Sequence, residues 1–210
     1  MHVVETITCG PFETNAYLIG KKGSLDMLLI DAPPGSYEMV PQTLKEKARV
    51  IALLITHPHF DHVLDAGFFA RDGIPLFAHS DAVFGIEKPD TLDLMPQSGD
   101  DLPAAKVTNL IADGSHLHLA DLDIEVIEAP GHSPGSLAFS IPLASACFVG
   151  DVLFQKSIGR TDLPGGNFDM LAESIQTKIY TLPDDVVVYP GHGPTTTVGY
   201  EKRSNPYVRG

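Results

Sequence analysis

The chain of 210 residues is 43% hydrophobic and 20% charged, and its 14 Lys and Arg against 27 Asp and Glu give a formal net charge of −13. A length of this order suits one domain, spanning residues 1–210, that buries roughly 70% of its unfolded surface without staples. Acidity this strong argues against nucleic acid, whose phosphates require a basic face, but leaves anionic small molecules open, because bound divalent cations reverse a local field.

Met1 to Gly10 lacks the basic head and apolar stretch of a secretory signal, and no apolar run approaches the ~20 residues that cross a bilayer. Cytoplasmic residence without membrane contact is therefore expected. His2 to Cys9 alternates as a strand, and Asn15 to Gly20 and Asp26 to Ala32 read as two more, joined by the solvated turn Lys21-Lys22-Gly23-Ser24. Ser36 to Arg49 has helical spacing with Ser36 as its cap. Val50 to Ile55 is apolar throughout, which predicts a strand buried on both faces. Asp61 to Asp72 reads as a helix ending before Gly73, and Ile74 to Ala78 as a strand. Glu87 to Asp101, rich in Pro, Asp and Gly, reads as a long surface loop. Strands follow at Asp123 to Ala129, Leu137 to Ile141 and Ala146 to Val149, then a helix over Phe168 to Tyr180 and a last buried strand, Val186 to Tyr189. Two sheets flanked by helices satisfy this order. Cys9 and Cys147 are far apart without a C-x-x-C, so buried free thiols are expected.

The densest signal is Thr56-His57-Pro58-His59-Phe60-Asp61-His62, directly after the apolar run Val50 to Ile55. A strand-to-loop junction is stiff at one end and free to bend at the other, so it can aim His57 and His59 one way and Asp61 and His62 another. That arrangement serves two neighbouring cations. Three more metal-ligand types follow apolar strands in the same manner: His132 in Ala129-Pro130-Gly131-His132, Asp151 in Val149-Gly150-Asp151, and His192 in Tyr189-Pro190-Gly191-His192. Each is flanked by Gly or Pro, which permit tight turns. A lone Asp after Gly is more often a turn or cap, but four strand ends that each deliver a ligand type point to one shared rim of a sheet. Five His and two Asp suit Zn²⁺, and also Fe²⁺ or Mn²⁺.

With these motifs, with Thr14-Asn15-Ala16-Tyr17-Leu18-Ile19 near the start and with Asn205-Pro206-Tyr207 in the tail, the chain resembles metallo-β-lactamase-fold hydrolases over nearly its whole length. Within them it is similar to the glyoxalase II (hydroxyacylglutathione hydrolase) group. The resemblance implies an α/β (α+β) fold, a four-layer αββα sandwich with the metals on one edge. It also implies His57, His59 and His132 on one metal, Asp61, His62 and His192 on a second, and Asp151 bridging both. Ser133 and Gly135 then shape the loop after His132 without being ligands. The implied reaction is thioester hydrolysis, of S-D-lactoylglutathione or a relative, by a metal-bound hydroxide that Asp61 orients by accepting a proton. Arg160, in Ser157-Ile158-Gly159-Arg160-Thr161-Asp162, stands where the group contacts glutathione, as a grip for a carboxylate. Pairing with Asp162 is the competing reading, and the group's tyrosine at that position is replaced here by Asp162.

A chain ending 18 residues past His192 leaves no C-terminal helical domain of the full-length kind, so the short single-domain type is expected. A rival activity is that of persulfide dioxygenases, which share the fold and would use one iron on His57, His132 and Asp151. Gly191-His192-Gly193-Pro194 favours the hydrolases over it, and His59 stands where diiron flavoproteins carry an acid. Hydrolysis of another ester, lactone or amide uses the same centre, and a binding module without turnover conflicts with the intact ligand set. Elsewhere His79 is read as a surface or supporting residue, His116 and His118 as solvent-facing on a short strand, and Tyr17 as strand packing or near the site. The partner expected is a small molecule, and the sequence leaves the oligomeric state open.

Overall fold

Period-two burial builds the molecule, and two central strands show how. In Arg49–Leu54, Leu53 packs to one side of its sheet and Leu54 to the other, and Leu28 and Leu29 of Asp26–Ile30 divide in the same way. Successive side chains of a strand point to opposite faces, so a strand with apolar residues at every position must be covered on both. Each fully buried leucine of this kind contributes about 1.5–3 kcal/mol. The structure, a computed structural model, describes residues 1–44, 48–89 and 103–210.

The first sheet holds β1 (His2–Cys9), β2 (Thr14–Lys21), β3 (Asp26–Ile30), β4 (Arg49–Leu54), β5 (Leu76–Ala78) and β6 (Asn109–Leu110), in that spatial order. β1 to β3 are antiparallel neighbours, and β3 to β6 run parallel. The second half supplies β7 (His116–Leu119), β8 (Leu122–Glu128), β9 (Leu137–Ile141), β10 (Ala146–Gly150), the small hairpin β11 (Leu153–Phe154) and β12 (Ser157–Ile158), then β13 (Val187–Pro190) and β14 (Thr196–Thr197). The second sheet is ordered β14-β13-β10-β9-β8-β7.

Helices α1 (Ser36–Thr43), α2 (Phe60–Val63) and α3 (Ala66–Arg71) cover the outer face of the first sheet, where Val40, Val63 and Phe69 meet Leu29, Leu53 and Ile55. A middle layer of Ile19, Leu28, Leu54, Ile124, Phe139 and Phe148 joins the two sheets. On the far side, α5 (Phe168–Thr177) and α6 (Val198–Ser204) set Leu171, Ile175 and Val198 against Cys147, Val149 and Val188. The expected αββα sandwich is the fold.

The two sheets meet at one edge. Thr14 and His192 form an antiparallel bridge, and Asn15 N–H donates to Gly191 O at 2.7 Å. Asn15 Nδ2 donates to Pro190 O (3.2 Å) and Gly193 O (2.9 Å), and the Tyr17 hydroxyl to Pro190 O (2.6 Å). Tyr17 is buried against the Phe148 and Tyr189 rings, so its place is strand packing at this seam.

Several sequence expectations are corrected. Gly35, at φ 89°, precedes α1 and Ser36 is its first residue, so Ser36 is not the cap. That helix ends at Thr43 rather than Arg49, and residues 45–47 lie outside the described residues. The helix expected over Asp61 to Asp72 is two short ones. Asp65 interrupts it because its N–H donates to Ala32 O (3.0 Å) and its carboxylate accepts Tyr37 N–H (2.9 Å). Helix α5 stops at Thr177, followed by a 3₁₀ turn over Ile179–Thr181. Of the loop read over Glu87 to Asp101, Glu87 ends α4 (Val83–Glu87), and residues 90–102 are outside the described ones. Cys147 is buried but Cys9 only half so, and both are free. His79 is buried rather than on the surface, and its Nδ1 accepts Asp81 N–H at 3.2 Å. His116 and His118 are exposed on β7 as expected. Among the described residues no helix is long and apolar enough to cross a membrane.

Candidate metal centre

All seven donor-bearing residues that the sequence singles out come together at the seam. His57 and His59 follow β4, Asp61 and His62 lie on α2, His132 follows β8, Asp151 follows β10 and His192 follows β13. The rim is therefore shared by two sheets, not drawn from one as the strand ends had suggested. Three overlapping clusters result: His57, His59 and His132; His57, His62 and Asp151; Asp61, His62 and His192.

The donor spacing can be compared with a cation's needs. Two ligands ~2.0–2.1 Å from a tetrahedral zinc stand ~3.3 Å apart. His57 Nε2 lies 3.3 Å from His132 Nε2, and His62 Nε2 3.3 Å from Asp151 Oδ1. His192 Nε2 is 3.3 Å from Asp61 Oδ2 and 3.4 Å from Asp151 Oδ2. His59 Nδ1 and His132 Nε2 are nearer, at 2.8 Å. Among the described residues, His62 Nε2 and Asp151 Oδ1 are buried without a hydrogen-bond partner, a costly state for polar atoms that a cation relieves. The donor set fits divalent cations.

Partners behind the rings decide which nitrogen faces inward. His62 Nδ1–H donates to Asp31 Oδ2 (2.8 Å), His132 Nδ1–H to Arg160 O (2.7 Å) and His192 Nδ1–H to Phe12 O (3.1 Å). His57 Nδ1 meets Thr56 Oγ1 at 3.0 Å, and that hydroxyl donates onward to Asp31 Oδ2 at 2.7 Å. In the neutral rings four Nε2 lone pairs are thus left facing the centre, since a ring nitrogen's role is set by the bond its partner nitrogen makes. Asp31 also accepts Thr56 N–H at 2.8 Å. On the carboxylate side, the Thr14 hydroxyl donates to Asp61 Oδ2 at 2.9 Å. Gly191 is required by close approach, because a Cβ there would collide with Asp151 Oδ1 and His62 Cε1.

The electrostatics divide the rings. Burial, reinforced by neighbouring imidazoles, holds His57 well below the ordinary histidine value and brings His59 down to about 4. Burial also lowers His132, although Asp151 opposes it. Burial works against a charged His62 as well, but Asp151 and Asp31 outweigh it and push the ring well above its ordinary value. His192 rises to about 9 in the same way, with burial overcome by Asp151 and Asp61. Burial opposes ionisation of Asp151 and Asp61, yet His62 and His192 hold Asp151 well below the carboxylate range, and His192 and His62 lower Asp61. The field that collects protons on His62 and His192 is the field that attracts a cation, and cation binding displaces such protons.

A family profile described as the metallo-beta-lactamase superfamily matches residues 9–192, which contain every one of these donors. The chain belongs to that superfamily. It is a metallo-hydrolase by that membership, and some of its curated relatives carry hydrolase names. A protein of Bacillus subtilis strain 168 named probable metallo-hydrolase YqgX is 37% identical over 204 residues, covering 96% of this chain and 95% of its own. The hydroxyacylglutathione hydrolase GloC of Haemophilus influenzae is 34% identical, covering 98% and 97%. Among solved structures, the BLEG-1 B3 metallo-beta-lactamase superposes with a TM-score of 0.89 at 33% identity, covering 99% and 100%. TTHA1623 in a di-iron-bound form gives 0.80 at 33%, covering 97% and 100%.

Arg160 sits beside this superfamily centre with its side chain exposed and paired to Asp162. Its Nε and Nη2 each lie 2.8 Å from an Asp162 carboxylate oxygen, and both residues are exposed. The hydrogen bonds from Arg160 hold Asp162 down to about 2. What Arg160 gives the centre in this structure is its carbonyl, on His132. Ser133 is buried, bonded to Ser136 (Oγ to Oγ 3.0 Å), and Gly135 takes φ 70°, so both shape the turn after His132. Sequence reasoning missed Asp31, Thr56 as a ring partner, Asn15, and the carbonyls of Phe12 and Arg160. Asp31 carried one usable signal, its place directly after an apolar strand on the same rim.

Proposed function

We propose that this metallo-hydrolase is a glyoxalase II-like thioesterase with a dinuclear centre. His57, His59 and His132 would hold one divalent cation and Asp61, His62 and His192 the other, with Asp151 available to both sets. The observation that carries the reading is the meeting of all seven side chains in three overlapping clusters, with two buried polar atoms left without a hydrogen-bond partner among the described residues. Zinc suits five imidazoles and two carboxylates, and iron is the alternative that the di-iron-bound relative supports. When bound, such a pair supplies Lewis acidity and a water whose pKa falls from 15.7 towards ~7.

The chain's own groups do the rest. Asp31, Thr56, Arg160 O and Phe12 O fix the ring orientations. Asp61 is held below the ordinary carboxylate range and stays ionised, and with Oδ2 accepting the Thr14 hydroxyl its Oδ1 would take a proton from the attacking water. A thiolate then leaves without needing an acid. The GloC relative supports a glutathione thioester as substrate. Arg160 grips a substrate carboxylate by exchanging it for Asp162.

The test is metal content of the purified chain together with S-D-lactoylglutathione hydrolysis, followed as loss of thioester absorbance. Two cations per chain with turnover is the expected result. One iron per chain, with oxygen uptake on glutathione persulfide and no hydrolysis, would replace this reading with a dioxygenase.

A further inference from the structure

Behind the centre lies a buried carboxylate that plays no part in the chemistry above. Glu201 of α6 has no exposed surface, and neither has Asn205. Glu201 Oε1 accepts the Thr196 hydroxyl (2.6 Å), and Oε2 accepts Lys156 N–H (3.0 Å) and Asn205 Nδ2 (2.9 Å). Asn205 Nδ2 also donates to Ser157 O at 3.0 Å, while its Oδ1 accepts the N–H groups of Tyr207 (3.0 Å) and Val208 (3.2 Å). Among the described residues no lysine or arginine pairs with Glu201. Burying a carboxylate without a cation is expensive, and an apolar residue would serve stability better. The arrangement therefore needs another reason.

That reason lies in what the two side chains grip. Lys156 lies in the two-residue tip of the β11–β12 hairpin and Ser157 opens β12 beside it, and Lys156 holds φ 56°, a left-handed conformation unfavourable for a side-chain-bearing residue unless its surroundings fix it. The hairpin leaves Asp151 at one end and reaches Gly159 and Arg160 at the other. Gly159 packs so closely on Asp151 that a Cβ would strike its carbonyl oxygen, and Arg160 O accepts His132 Nδ1–H at 2.7 Å. We propose that Glu201 and Asn205 are positioning residues, which clamp the hairpin tip so that its far end presents the Arg160 carbonyl to His132 and thereby sets the cation affinity of the His57, His59 and His132 cluster. This rests on the dinuclear reading above. Asn205-Pro206-Tyr207, prominent in the sequence, takes its role from the clamp.

The experiment titrates Zn²⁺ into the cation-free full chain against a chromophoric chelator, with circular dichroism as a check of folding. The parent should show two binding steps, and His59→Ala identifies which belongs to the three-histidine cluster. Glu201→Ala and, independently, Asn205→Ala should weaken that step on the order of tenfold and leave the other within about threefold. Glu201→Gln keeps an acceptor for Lys156 and Asn205 and can donate to Thr196, so it should stay close to the parent. Equal weakening of both steps, or none in a folded variant, would overturn the clamp while leaving the dinuclear reading intact. A parent that binds fewer than two Zn²⁺ would refute that reading, and the clamp with it.

Discussion

Replacing Asp31 by Asn tests whether a residue that touches no cation governs how tightly one is held. The carboxylate is buried and accepts three hydrogen bonds, from Thr56 N–H (2.8 Å), the Thr56 hydroxyl (2.7 Å) and His62 Nδ1–H (2.8 Å). Asp31 has φ 60°, which Asn also tolerates, so the backbone keeps its conformation. An amide offers one acceptor oxygen where the carboxylate has two. If that oxygen faces the Thr56 hydroxyl and His62, the amide N–H₂ meets Thr56 N–H, donor against donor. If it faces Thr56 N–H, His62 loses its acceptor and its proton moves to Nε2, where it blocks the lone pair aimed at the centre. Either way one hydrogen bond to a charged group is lost, worth about 1.5–3 kcal/mol, or roughly 10- to 100-fold in affinity, the range seen when such supporting groups are removed. Chelator-competition titration with Zn²⁺ on Asp31→Asn should show that loss in the step shared by Asp61, His62 and His192. The cation-free melting temperature measured alongside should fall by only a few degrees per kcal/mol, about 2–4 °C for a chain this long. Zinc affinity within threefold of the parent would refute the reasoning, and a lower melting temperature alone would make Asp31 a stability residue.

Asp151→Ala should abolish binding of the second cation and thioester hydrolysis together, and an active variant retaining two cations would remove Asp151 from between the clusters. Arg160→Ala should raise KM for glutathione thioesters more than for thioesters without glutathione's carboxylates, while kcat stays close to the parent because the carbonyl on His132 is kept. Equal changes for both substrates would make the guanidinium structural. Burial pushes the Cys147 thiol up to about 12 and, joined by Asp65, the Cys9 thiol up to about 11. Both folded values lie above the free-thiol range, so thiolate forms, and stability declines, only as pH rises past about 8.5 and through these values. A disulfide reagent at pH 8 should therefore label the native chain far more slowly than the denatured one, which should yield two thiols. Rapid native labelling of Cys147 would contradict its burial.

The donors were legible because each stands in a short polar motif against an apolar strand, a contrast that survives without any structure. The strands were legible for the same reason, and Val50 to Ile55 announced its two-sided burial by having no polar face. What could not be read is what depends on distant partners. Asp65 breaks a helical run because Ala32 and Tyr37 take its hydrogen bonds, and neither is near it in sequence. Asp31 reads as part of the strand Asp26 to Ala32, and only the fold places it against His62. The carbonyls of Phe12 and Arg160 orient two rings through the main chain, which leaves no trace in side-chain identity. The guanidinium of Arg160 was open between two partners, and in the structure it faces Asp162.

The seam has a consequence for how the protein is made. Asn15 reaches Pro190 and Gly193 across 175 and 178 positions of chain. Contacts of such separation come late, because loop-closure entropy must be met before they contribute. During synthesis the first sheet emerges with four of the seven donors long before His192 exists, so a growing chain carries a half-built centre and cannot complete it until residue 192 has left the ribosome. Cation capture at the finished rim is therefore coupled to completion of the sandwich, and a cation held there fastens the first-made half to the last.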